Sequence, residues 1–98
     1  AIRAFTSEQR FPHLREDAHF YEAIALRMGG HRLASAAVMD AFLTTYPTST
    51  YAAEMHCLRG KLSLEIADKA RAKSEFEAAA QSTSTQARAC GETGLAAL

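Results

Sequence analysis

FLTTYPTSTYAAEMHCLRGKL, residues 42–62, holds two helical patterns with hardly any chain between them. The first closes on Tyr46-Pro47, because the residue before a proline is steered away from helical angles. The second opens after Thr48-Ser49-Thr50, any of which can cap the orphan amides of a helix start. It then places Tyr51, Met55, Leu58, Leu62 and Ile66 at spacings of three and four, a stripe down one helical face. A corner this short sets the two helices antiparallel and side by side.

Working outward, Arg32 to Thr45 reads as a helix that buries Leu33, Ala37, Val38, Ala41 and Phe42. Ahead of it, Leu14, Ala18, Tyr21, Ala25 and Met28 form a stripe that ends at Gly29-Gly30, a pair suited to the left-handed conformation that closes helices. Downstream, Asp68 turns the chain into a fourth helix. Its Ala72, Phe76 and Ala79 share a face, while Arg71, Lys73, Glu75 and Glu77 lie away on what reads as a solvated surface. Gln81 to Thr85 is a polar break, and a fifth segment, Gln86 to Leu98, resumes with Ala89, Leu95 and Leu98. Residues 1–12, with Thr6-Ser7 and Pro12, keep no sustained period and read as a lead-in segment or short extra helix before a helical domain over 13–98.

At 98 residues the chain is the size of one small domain. Eleven basic and eleven acidic side chains cancel, so no global field favours nucleic acid or an anionic membrane. The expectation is no nucleic-acid partner and no direct membrane insertion, since no apolar run approaches the roughly 18 residues of a membrane span. Hydrophobic residues are 48% of the chain, much of that alanine, with no Trp, which suits close helix packing: the class is all-α. Cys57 and Cys90 fall inside helical patterns and read as small buried thiols rather than as a disulfide framework. The opening Ala1-Ile2-Arg3 reads as that of a processed or excised segment.

Laid against itself at an offset of 37 residues, the sequence puts Gly30-His31 on Ala67-Asp68, Met39 on Phe76, Ala23 on Gly60 and Ala18 on Met55. A further offset of 34 puts Gly60 on Gly94 and Met55 on Ala89. Small residues thus recur where paired helices must approach closely, with a period typical of helical-hairpin arrays.

Small residue in the first helix, a Gly-Asp-like turn, Ala and an aromatic in the second, then Tyr-Pro: this succession resembles tetratricopeptide repeats. It is most similar to the long-repeat kind in bacterial outer-membrane assembly lipoproteins and the Tol-Pal-associated periplasmic coordinator. There, a segment like Phe42-Leu43-x-x-Tyr46-Pro47-x-Ser49-x-Tyr51-Ala52 joins consecutive hairpins. The resemblance covers roughly residues 18–98, with Gly60, Ala72, Phe76 and Ala79 on the repeat's small and aromatic positions. Departures fall where the repeat carries a bulky apolar residue, here His19, His56 and Cys90, and where it carries leucine, here Glu22, Arg59 and Thr93.

Chemically suggestive groupings each have an ordinary counterpart. Glu16, His19 and Glu22 sit one turn apart, as helix-bundle metal ligands do, but a single such set fails the ligand count, so no metal or other cofactor is expected. His56-Cys57 resembles a base beside a nucleophile, yet adjacent helical side chains point about 100° apart, and no catalytic residue is assigned. Gly29-Gly30-His31-Arg32 lacks the preceding strand and the Gly-Lys-Ser/Thr ending of a phosphate loop, and reads as a helix turn.

The resemblance implies an α-solenoid of two antiparallel hairpins plus a capping or third-repeat helix. It implies a non-enzymatic interaction module that takes a partner peptide or helix in a concave groove, as part of a larger bacterial envelope or regulatory assembly. The repeat register places Asp17, Phe20, Ile24 and Arg27 on that groove from the first hairpin, Glu54, Cys57, Lys61 and Leu64 from the second, and Arg88 and Leu95 from the third. Phe20 fits the core equally well. An alternative is a scaffold that forms homo-oligomers through the terminal helix, where Leu95, Ala97 and Leu98 would pair across an interface; a small helical metal protein or enzyme is a remoter one. The resemblance favours a bacterial periplasm or an outer-membrane-associated site, with cytoplasm also compatible.

Overall fold

A computed structural model describes residues 13–98; the lead-in expected over 1–12 lies outside them. Five helices follow one another: α1 His13–Met28, α2 Arg32–Thr45, α3 Ala52–Glu65, α4 Lys69–Ala80 and α5 Thr85–Ala96. The described residues are all-helical, as the composition and periods predict, and each helix packs on its neighbours in the chain while α5 also reaches back to α3.

The corners are set by identifiable residues. After α1 the His31 amide donates to the Leu26 carbonyl and the Gly30 amide to Arg27, a Schellman cap with Gly30 at φ 84°. The same cap recurs after α3, where Asp68 N–H bonds to Ser63 and Ala67 N–H to Leu64, with Ala67 at φ 62°. The two corners stand 37 residues apart, so the offset in sequence is an offset in backbone geometry. In the 46–51 corner, Ser49 Oγ accepts from the Tyr51 amide at 3.1 Å and donates to Glu16 Oε2 at 2.7 Å, which ties the corner to α1. Asp68 and Ser84 cap α4 and α5 by accepting from the amides of Arg71 and Ala87.

One core lies between α1, α2 and α3: Phe20, Ala23, Ala36, Met39, Phe42, Met55 and Leu62, with Tyr46, Tyr51 and Leu58 packed against it. Ser35 Oγ donates to the Ala23 carbonyl at 2.7 Å, a bond reachable because both residues are small. The second packing centre is Phe76 of α4. A Cβ on Gly60 of α3 would lie 2.7 Å from its ring and one on Gly94 of α5 2.5 Å from it, so both glycines are demanded by the aromatic between them. The repeat pairing of Gly60 with Gly94 therefore has a direct steric cause.

Three helical faces depart from expectation. In α1, Ala18, Tyr21, Ala25 and Met28 are exposed, while Phe20 and Ala23 turn inward. In α2, Leu33, Ala37 and Ala41 are exposed and Ser35, Ala36 and Met39 are buried beside Phe42. In α5, Ala89 is exposed, as is Leu98 just beyond its end, and Ala87, Gly91 and Gly94 face inward. Alanine-rich helices are apolar on more than one side, so the period alone does not select the face that packs.

Candidate functional site

Helices α1, α3 and α5 lie side by side, joined by three different contacts. The ring of Phe20 stacks on Tyr51 with centroids 4.5 Å apart. Arg27 Nε donates to Glu65 Oε1 at 2.7 Å across the same pair of helices. Between α3 and α5 the link is covalent: Cys57 and Cys90 form a disulfide, with Cα atoms 6.0 Å apart. This corrects the reading of the two cysteines as packing thiols. Their pairing depends on α5 returning alongside α3, which no local signal announces. One hint was present, since the 34-residue offset puts Cys90 on His56, directly beside Cys57.

Along this row runs an open hollow of about 360 Å³. Phe20 and Ile24 line it from α1, Glu54, Cys57, Leu58 and Lys61 from α3, and Gln86, Ala87 and Cys90 from α5. Five of the ten groove candidates thus come together: Phe20, Ile24, Glu54, Cys57 and Lys61. A second hollow of about 420 Å³ adjoins it, sharing Lys61, Gln86 and Cys90 and adding Leu64 and the Phe76 edge. The walls are largely apolar, and Glu54 and Lys61 supply one charge of each sign.

The other candidates sit apart. Arg27 is held by Glu65. Asp17 faces Tyr51, whose hydroxyl is pushed up to about 12 by the hydrogen bond it donates to that carboxylate and by the carboxylate's charge. Arg88 is exposed near Glu92 at 3.9 Å, and Leu95 is half-buried; neither lines the two hollows. Phe20, read as groove or core, is both: it is 5% exposed and forms part of the floor. Leu58, Gln86, Ala87 and Cys90 are lining residues that sequence reasoning did not select.

On the opposite side of α3, a partly buried polar chain joins α2, α3 and α4. Asp40 Oδ1 accepts from Arg59 Nε at 2.9 Å and from Arg71 Nη2 at 2.6 Å. Arg59 Nη1 donates to Ser63 Oγ at 2.7 Å, and Arg71 Nε donates to Glu75 Oε2 at 2.7 Å. The other Glu75 oxygen meets His56 Nδ1 at 2.6 Å. Burial pushes the Glu75 carboxyl up, but the hydrogen bonds and charges of His56 and Arg71 outweigh it and hold the group below its ordinary range. The bond to Glu75 likewise raises the Arg71 guanidinium. Glu75 and Arg71 are therefore not on a solvated face, as the charge alternation suggested; they lock the hairpins together.

His56 and Cys57 diverge, one to Glu75 and the other to Cys90. Glu16 accepts the Ser49 hydroxyl, and the His19 ring lies 6.0 Å from that of Tyr46. Among the described residues no three His, Cys, Asp or Glu side chains converge as metal ligands, and no helix is long and apolar enough to cross a membrane. No protein-family model, curated protein or solved structure matches the chain.

Proposed function

We propose that the chain is a non-enzymatic, tetratricopeptide-like interaction module that takes a short peptide or helix of a partner protein along the row formed by α1, α3 and α5. The observation that carries this reading is the convergence of Phe20, Ile24, Cys57, Leu58 and Ala87 on one open, apolar trough with Glu54 and Lys61 at its sides. A trough with apolar walls and a few placed charges suits the apolar face of an amphipathic segment, with the charges setting its direction. Because the Cys57–Cys90 bridge fixes α5 against α3, the trough is preformed, which lowers the ordering cost of binding. The bridge also favours an oxidising compartment such as the bacterial periplasm over cytosol, where thiols are kept reduced.

The test is peptide selection on the oxidised protein, followed by affinity measurement on substituted chains. Ile24→Glu and Lys61→Glu should each weaken the selected peptides about tenfold or more, while Lys73→Glu, on the exposed side of α4, should leave them unchanged. Peptides indifferent to both trough substitutions would remove the assignment.

A further inference from the structure

The Cys57–Cys90 bridge lies in the wall of the trough. Both cysteines line the first hollow, and Cys90 lines the second as well. Cys57 is buried, whereas Cys90 is half-buried, so the α5 end of the bridge is the more accessible.

Little besides the bridge fastens α5 to α3. The inward residues of α5 are Ala87, Gly91 and Gly94, which bury little apolar area. Among the described residues no side-chain hydrogen bond or ion pair joins α5 to another helix; Arg88 meets Glu92 of the same helix. The remaining helices are tied without the cysteines. Phe20 stacks on Tyr51 and Arg27 pairs with Glu65, while Asp40, Arg59 and Arg71 link α2, α3 and α4 on the far side.

We propose that the bridge is a redox switch for the trough, a regulation that rests on the binding reading above. A dithiol reductant opens it with α1 to α4 still folded. One reductant thiolate attacks the Cys90 sulfur, the bond between the two cysteine sulfurs breaks, and Cys57 leaves as a thiolate that takes up a proton. The second reductant thiol then displaces Cys90 from the mixed disulfide. The bridge gains two electrons and becomes two thiols, and the reductant becomes a disulfide. Freed of its covalent tie, α5 comes loose from α3 and carries away the wall made by Gln86, Ala87 and Cys90. A bound peptide resists the change by the same factor that reduction weakens it, because coupling between two equilibria is reciprocal.

The test places the 98-residue chain in buffers of reduced and oxidised dithiothreitol without denaturant. Thiol trapping should show the bridge opening, hydrogen exchange should show α5 alone losing protection, and the Ile24 methyl resonances should move. A peptide that was selected on the oxidised chain and is lost on Ile24→Glu should bind the reduced chain about tenfold more weakly, and reoxidation should restore it. At saturation that peptide should raise the ratio of reduced to oxidised dithiothreitol needed for half-reduction by the same factor. Three results overturn the switch: a bridge that opens only when the whole chain is denatured, a reduced chain unfolded in all five helices, or one whose α5 stays protected and whose peptide binds undiminished. Peptides indifferent to Ile24→Glu count against the binding reading instead, and the trapping and exchange data then decide on the switch without them.

Discussion

The first hairpin, α1 with α2, and the second, α3 with α4, share a corner and a 37-residue spacing but distribute bulk in opposite ways. In the first, Ala23 faces a helix carrying Ser35, Met39 and Phe42, and Phe20, Tyr46 and Tyr51 close an aromatic cluster around it. In the second, the equivalents of Ser35, Met39 and Phe42 are Ala72, Phe76 and Ala79, and the equivalent of Ala23 is Gly60. An aromatic is admitted at position 76 because the facing helices have lost their Cβ atoms. The consequence reaches α5, which packs through Ala87, Gly91 and Gly94, residues that bury little apolar area. The Cys57–Cys90 bridge supplies there what the aromatic cluster supplies in the first hairpin.

Breaking the bridge is the strongest challenge to that comparison. It closes a loop of 33 residues, so its removal by Cys57→Ser with Cys90→Ser should cost about 3–4 kcal/mol in denaturant unfolding. Hydrogen exchange should report α5 losing protection first, with α1 and α2 protected; equal protection of all five helices in the reduced chain would mean that α5 does not depend on the bridge. Next in size is Gly91→Ala. Its Cβ would meet the Ala80 backbone nitrogen and lie 2.5 Å from the Phe76 carbonyl oxygen, backbone atoms that cannot turn aside. The expected loss is about 3 kcal/mol, against about 1 kcal/mol for Ala23→Gly in the first hairpin.

Glu75→Gln probes the polar chain that holds the hairpins together and should cost about 2 kcal/mol at neutral pH, because His56 and Arg71 lose a charged acceptor. The folded Glu75 carboxyl lies below its ordinary value of 4.5, so its contribution is complete above that pH and disappears as pH falls through the lowered value. Wild-type unfolding midpoints should therefore drop more steeply than those of Glu75→Gln between pH 5 and pH 3, a window taken from the carboxylate range as roughly the span of the shift. The smallest effect sharpens the likeness of the two corners. Ala67 holds a left-handed conformation that Gly30 adopts freely, so Ala67→Gly should raise stability by about 1 kcal/mol and Gly30→Ala lower it by a similar amount.

Much of the architecture was legible in particular residues. Pro47 and Gly29-Gly30 stop helices for reasons that act within a few residues, and the α3 stripe of Tyr51, Met55, Leu58, Leu62 and Ile66 packs as its spacing implies. The stripes of α1, α2 and α5 misled because Ala18, Ala25, Ala37, Ala41 and Ala89 give those helices a second apolar face. Half of the candidate trough was readable from the repeat register. Leu58, Gln86, Ala87 and Cys90 were not, since their part in it depends on how closely α5 settles beside α3.

By itself the sequence determined the helical class, the five helices of residues 13–98, where the chain turns between them and the internal period, because caps, prolines, glycines and side-chain spacing act over one or two helical turns. Only the tertiary structure decided which face of each alanine-rich helix is covered, that Glu75 and Arg59 are buried as members of one hydrogen-bonded chain, and that two cysteines 33 residues apart meet. Those outcomes are set by packing between helices distant in sequence, where Phe76 needs two glycines at once and no single segment carries the whole constraint.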